Sequence, residues 1–275
     1  MLVACRALAF IAPALLVLLP RAAYAVDRIP FTVANGLVEV QGAVDGSSPV
    51  PMLVNLGAGV DVLSTDLGRR FVVIQGKYVS LRLTGERVDL PIGIVQSLAI
   101  GGVRIEAPHV GIWSGLDGTA NGGLISATAF RNVTTTFDFR NDEIVIEDAQ
   151  TFPDRTRQTA RVPIVLQDDL GIALGLFVRF DFGAGRTGLC EIDTGSSSIT
   201  LDRAFASSIG LTPDAQGHVA VATLALAGAA QTAIVDPTVG VGNLIYDCDV
   251  GNAFWTGRAF TLDLPNHFMY VSTAS

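Results

Sequence analysis

Histidine and cysteine are scarce in this chain of 275 residues, and that scarcity removes whole classes of chemistry. Only His109, His218 and His267 occur, far apart, and there is no Cys-x-x-Cys or His-Glu-x-x-His pattern. Zinc and redox centres need ligands grouped in such patterns, so neither a metal nor a cofactor is expected. Ser196-Ser197-Ser198 has no Gly-x-Ser-x-Gly setting and no histidine beside it, so it reads as turn-stabilising hydroxyls rather than a nucleophile. The Gly115–Gly123 loop lacks the Lys-Ser/Thr ending of a phosphate cradle. Trp113, Trp255 and Tyr270 read as core or cleft-wall aromatics. Charge is sparse too, at 16% of residues, and it is one-sided: 26 acids against 18 bases. Nucleic acid and anionic membrane surfaces are poor partners for such a chain.

One long apolar stretch is present, Leu8 to Leu19, broken by Pro13. It follows Arg6 and precedes the small-x-small site Ala23-Tyr24-Ala25, which is the pattern of an export signal over residues 1–25. The stretch is too short and too interrupted for a good membrane span. A mature chain beginning near Val26 is expected outside the cytoplasm, periplasmic or secreted, without stable membrane insertion. Two cysteines then remain, Cys190 and Cys248. In an oxidising compartment they can form one disulfide, and two small buried thiols fit the sequence equally.

What the chain has in quantity is glycine, 29 residues of it, between short Val/Ile/Leu runs. Few helical periods interrupt these runs, so an all-β protein is expected. The runs come in two series, 26–150 and 162–275. Between them, 151–161 is polar, holds Pro153 and three arginines, and reads as a linker. Matched offsets show that the series are copies. Leu63 lies eight residues after Asn55, and Leu201 lies eight after Asp193. Asp138 follows Ser126 by twelve, and Asp263 follows Gly251 by twelve; Asn141 and Asn266 each come three later. The chain is a tandem duplication of a β unit of roughly 110–130 residues.

Each copy carries a pair of short motifs. The second has Ile192-Asp193-Thr194-Gly195-Ser196-Ser197 and later Asp249-Val250-Gly251-Asn252-Ala253-Phe254. The first has Val54-Asn55-Leu56-Gly57-Ala58 and later Leu124-Ile125-Ser126-Ala127. With the strand-turn-strand Leu98–Val103, this pattern resembles the aspartic peptidases over nearly the whole mature chain. Each half looks like a retropepsin-type lobe, and the pair looks like the single-chain, two-lobed form with a cleft between lobes. In that family the segments holding Cys190 and Cys248 run side by side beneath the active site, so the resemblance makes a disulfide plausible.

The resemblance implies a mechanism in which one carboxylate from each lobe shares a proton, because like charges about 3 Å apart cannot both ionise. One takes a proton from water while the other donates to the peptide carbonyl. By this match Asp193 is a catalytic carboxylate, and its partner position holds Asn55. Asn55 can donate a hydrogen bond to Asp193 and so favour its ionised form. It cannot supply the shared proton, and general acid help is worth ~10²–10⁴-fold in rate. Leu56 replaces the threonine that would bond across the lobes, and Ser126 replaces a glycine. The expectation is therefore an exported protein that binds peptide or protein segments in the cleft and is catalytically impaired or inactive. The alternative is a working endopeptidase that uses Asp193, with pairing of two second lobes as one route to a full carboxylate pair.

Overall fold

The computed structural model describes residues 27–273; the expected export signal, 1–25, lies outside the described residues. Strands dominate, and the longest helix among the described residues is the seven-residue Thr65–Phe71. Strand-period alternation in the sequence sets this outcome, as in Leu37–Val44, where every second side chain is buried.

The duplication appears as repeated topology. In the first half, Val50–Val54 runs parallel to Gly123–Ile125, which pairs antiparallel with Asp61–Leu63. In the second, Thr187–Ile192 runs parallel to Cys248–Val250, which pairs antiparallel with Ile199–Asp202. Asn55 and Asp193 therefore leave the ends of corresponding strands. A long hairpin, Val73–Leu81 with Arg87–Ile94, rises from the first lobe. The expected strand-turn-strand at Leu98–Val103 is the hairpin Ser97–Ile100 with Val103–Glu106.

The halves are not separate sheets. Thr134–Asp138 of the first half pairs antiparallel with Ala259–Asp263 of the second, Phe137 opposite Phe260. The shared sheet runs from Arg28–Pro30 through Glu143–Glu147 and Thr134–Asp138, then through Ala259–Asp263 and Phe268–Val271 to Ala160–Asp169. Each closing hairpin on its own would leave an open edge and an apolar face. Joined, they stack Phe137 on Phe260 at 5.0 Å and bury both completely.

The stretch 151–161, expected as a linker, holds the helix Thr151–Thr156 and the start of strand Ala160–Asp169. Local hydrogen bonds explain the helix. The Asp148 carboxylate accepts from the Gln150 and Thr151 amides at 2.8 Å, and the Thr151 hydroxyl accepts from the Asp148 amide at 3.0 Å. Phe152 then packs edge-on against Tyr270, and Arg155 reaches the buried carboxylates of Asp138 and Glu147. Short polar periods of this kind carry no apolar stripe, which is why they do not announce a helix in the sequence.

Cys190 and Cys248 stand opposite each other in register and form a disulfide. The bridge closes a loop with a sequence separation of 58 residues, under the strands that lead to Asp193 and Gly251. Replacing both cysteines with alanine should lower unfolding stability by about 2–4 kcal/mol, read as a shift of the urea midpoint. An unchanged midpoint would show that the strand pair needs no covalent tie.

Candidate active site

The two motif loops meet between the lobes and lean on each other's glycines. The Asp193 carboxylate accepts from the Gly195 amide at 2.7 Å and from the Gly57 amide of the opposite loop. Asn55 Oδ1 accepts from the Ala58 amide at 2.8 Å. A Cβ on Gly57 would stand 2.6 Å from Asp193 Cγ, and one on Gly195 would stand 2.1 Å from Asn55 Nδ2. Both glycines are required by this close approach, not by a turn.

Thr194 clasps the lobes from one side. Its hydroxyl donates to the Val54 carbonyl at 2.7 Å and accepts from the Leu56 amide at 3.0 Å, fully buried. Leu56 is also fully buried but has no hydroxyl to return the contact. The Asn252 amide reinforces the second loop by donating to the carbonyls of Thr194 and Gly36 at 2.8 and 2.7 Å. Ser126 has gained partners of its own. Its amide and hydroxyl both donate to Asp61 Oδ1, at 2.7 and 3.0 Å, and Thr128 donates to Asp61 Oδ2 at 3.1 Å.

Asn55 and Asp193 both line a cavity of roughly 890 Å³ between the lobes. The long hairpin roofs it. The Leu83 carbonyl at the hairpin tip accepts from the Ile245 amide at 3.0 Å, and the Tyr78 hydroxyl donates to Asp169 at 3.0 Å, so the roof touches the second lobe twice. Trp113 lines this cavity, whereas Trp255 is core and Tyr270 packs on Phe152.

Sequence reading missed two acids beside Asp193. Glu191 and Asp249 stand in register on neighbouring parallel strands, and Glu191 lines the cavity. The signal was available: Cys190-Glu191-Ile192 and Cys248-Asp249-Val250 each put an acid between cysteine and a β-branched residue, within otherwise apolar strands. Burial, then the charges of Asp193 and Asp249, push Glu191 up to about 9. Burial, then Asp193, push Asp249 up to about 8. Asp193 itself is pushed up to about 6 by burial, against the pull of the two glycine amides. The expected hydrogen bond from Asn55 to Asp193 is absent among the described residues. Desolvation, rather than Asn55, therefore sets the proton affinity of Asp193.

No protein-family model matches this chain, and no curated protein sequence does. Solved structures match it through their shape. Basic 7S globulin from soybean superposes with a TM-score of 0.59 over 91% of this chain and 95% of its own, at 12% identity. An aspartic proteinase from Irpex lacteus superposes with a TM-score of 0.57 over 91% of this chain and 98% of its own, at 14% identity. The fold is that of an aspartic proteinase. At such identities the likeness is one of architecture, and the aspartic-proteinase fold places the Asn55 and Asp193 loops face to face across its cleft.

Two predictions follow from the geometry. Thr194→Val removes both cross-lobe bonds and strands the Val54 carbonyl and Leu56 amide, which should cost about 2–4 kcal/mol; Thr194→Ser should keep most of it, as measured by urea unfolding. The raised carboxyls give the second. Asp61, pushed up to about 6 by burial, joins Asp193, Asp249 and Glu191 in holding protons more tightly when folded. Their contribution is complete below the unfolded carboxylate range near pH 4. It is lost as pH rises through about 6, 8 and 9. Urea midpoints should fall from pH 5 to pH 9, and Glu191→Gln should flatten the upper part of that fall.

Proposed function

We propose that this protein takes a peptide or an unfolded protein segment into the cleft between its lobes and hydrolyses it poorly or not at all. The observation that carries this reading is the pairing of Asn55 with Asp193 on the floor of a roofed cavity large enough for several side chains. Extended peptide could lie between the floor and the hairpin, whose strand edges and tip supply backbone partners. Asp193 can accept a proton from water. Asn55 can position that water through its amide but has no proton to give to the carbonyl and take back. Export belongs to the same proposal, and the Cys190–Cys248 disulfide suits an oxidising compartment.

One observation favours a second reading, slow hydrolysis through Asp193. Glu191 lines the same cavity and keeps its proton at neutral pH, so a carboxylic acid stands near the base. Pairing of two second lobes is a poorer route, because Thr194 is already bonded to Val54 and Leu56 of its own chain.

The test is peptide binding and turnover by the purified protein on a diverse library. Binding with little cleavage is expected, and Asn55→Asp should raise cleavage by about 10²–10⁴-fold. That gain should vanish when Asp193→Asn is added. Absence of any peptide binding would overturn the proposal. Fast cleavage by the unaltered protein, abolished by Asp193→Asn, would put the second reading in its place.

A further inference from the structure

The cleft floor holds more acid than either reading of Asp193 uses. Glu191 precedes Asp193 by two residues and both line the cavity, and Asp249 stands opposite Glu191 on the parallel neighbouring strand. Glu191 is only 6% exposed and lines the cavity, yet it has no hydrogen bond or ion pair among the described residues. Asp249 is 1% exposed, its Oδ1 has no partner among the described residues, and the Ser196 hydroxyl offsets part of its burial. Buried carboxyl groups are ordinarily paired or fully hydrogen-bonded. Here Glu191 turns its unmet need toward the cavity, with Asp249 behind it.

Among the described residues, no cation fills the place. The groups around Glu191 are Asp193 on its own loop, Asp249 and Tyr246 on the segment beside it, and apolar Phe177 on its other neighbouring strand. From the roof come Tyr78, held by Asp169, and Arg82, which pairs with Glu86 and leans over Trp113. Tyr246 packs edge-on to Phe177 at 4.7 Å, which gives the acidic corner an aromatic side wall. Such a corner suits a side chain with a long apolar stem and a charged end. The described residues contain no group of acids and histidines arranged to hold a metal ion.

Building on the peptide-cleft reading, we propose that Glu191, backed by Asp249, forms a subsite for one lysine or arginine side chain of the bound peptide. An arriving guanidinium or ammonium supplies the missing partner and favours the ionised acid, so binding releases a proton. Affinity for a cationic peptide then rises with pH through the range in which free Glu191 is still protonated, up to about 9.

The experiment is calorimetric titration with short peptides that carry arginine or citrulline, its neutral near-isostere, at each position in turn. At pH 8.5 one position should prefer arginine by about tenfold or more. The preference should shrink at pH 6, and near pH 7.5 the arginine peptide should release about one proton, seen in buffers of different ionisation enthalpy. In Glu191→Gln the arginine-to-citrulline ratio should fall to about one. If that variant does not fold, the comparison in the unaltered protein decides alone. Equal binding of the two peptides at every position, or a preference that persists in folded Glu191→Gln, overturns this inference and leaves the peptide cleft standing. Failure of every peptide to bind overturns both.

Discussion

The Thr194 hydroxyl is the buried hinge pin among the hydrogen bonds that hold the two lobes at contact distance. Thr194 Oγ1 is bonded to the carbonyl of Val54 and the amide of Leu56, and these are the backbone groups on either side of Asn55. The loops are so close there that each glycine touches the motif side chain of the opposite lobe. Cavity floor, burial of Asp193 and access to Glu191 all follow from that approach. In a site with low effective dielectric, one satisfied hydroxyl between two backbone groups carries much more weight than it would at the surface.

The first lobe has been rebuilt around its altered motif rather than left with holes. Ser126 stands where the second lobe has Gly251, a position at which a Cβ would lie 2.4 Å from the Ser196 carbonyl oxygen. In the first lobe that space admits a serine, and Asp61 answers it with two hydrogen bonds. Asp61 lies six residues after Asn55, as Ile199 lies six after Asp193, so an apolar position in one copy has become polar in the other. Leu56 is fully buried at the same loop as Asn55.

Much of this arrangement is legible in the sequence because it depends on fixed offsets. Asn55 and Asp193 follow equivalent strands at equivalent distances from Leu63 and Leu201, so their correspondence can be counted out in the sequence. The helix at Thr151–Thr156 could not be read, since Asp148 and Thr151 cap it locally and its partners, Phe152 with Tyr270 and Arg155 with Asp138, come from distant segments. Merging of the two closing hairpins into one sheet was hidden for a similar reason: Phe137 and Phe260 are ordinary strand residues until register places them together. Glu191 is not legible from the Asp-Thr-Gly turn, because it lies two residues upstream, where register with Asp249 on the neighbouring strand, and not a motif, gives it meaning.

The shared sheet also orders events in time. Its central strands, Ala259–Asp263 and Phe268–Val271, come from the last part of the chain, whereas the strands flanking them come from the middle and the beginning. Thr134–Asp138 waits with an unpaired edge until the C-terminal segment arrives. Pairings this distant in sequence form slowly, because loop closure must precede the contacts that reward it. Closure of the two-lobed body therefore waits on the pairing of Ala259–Asp263 with Thr134–Asp138.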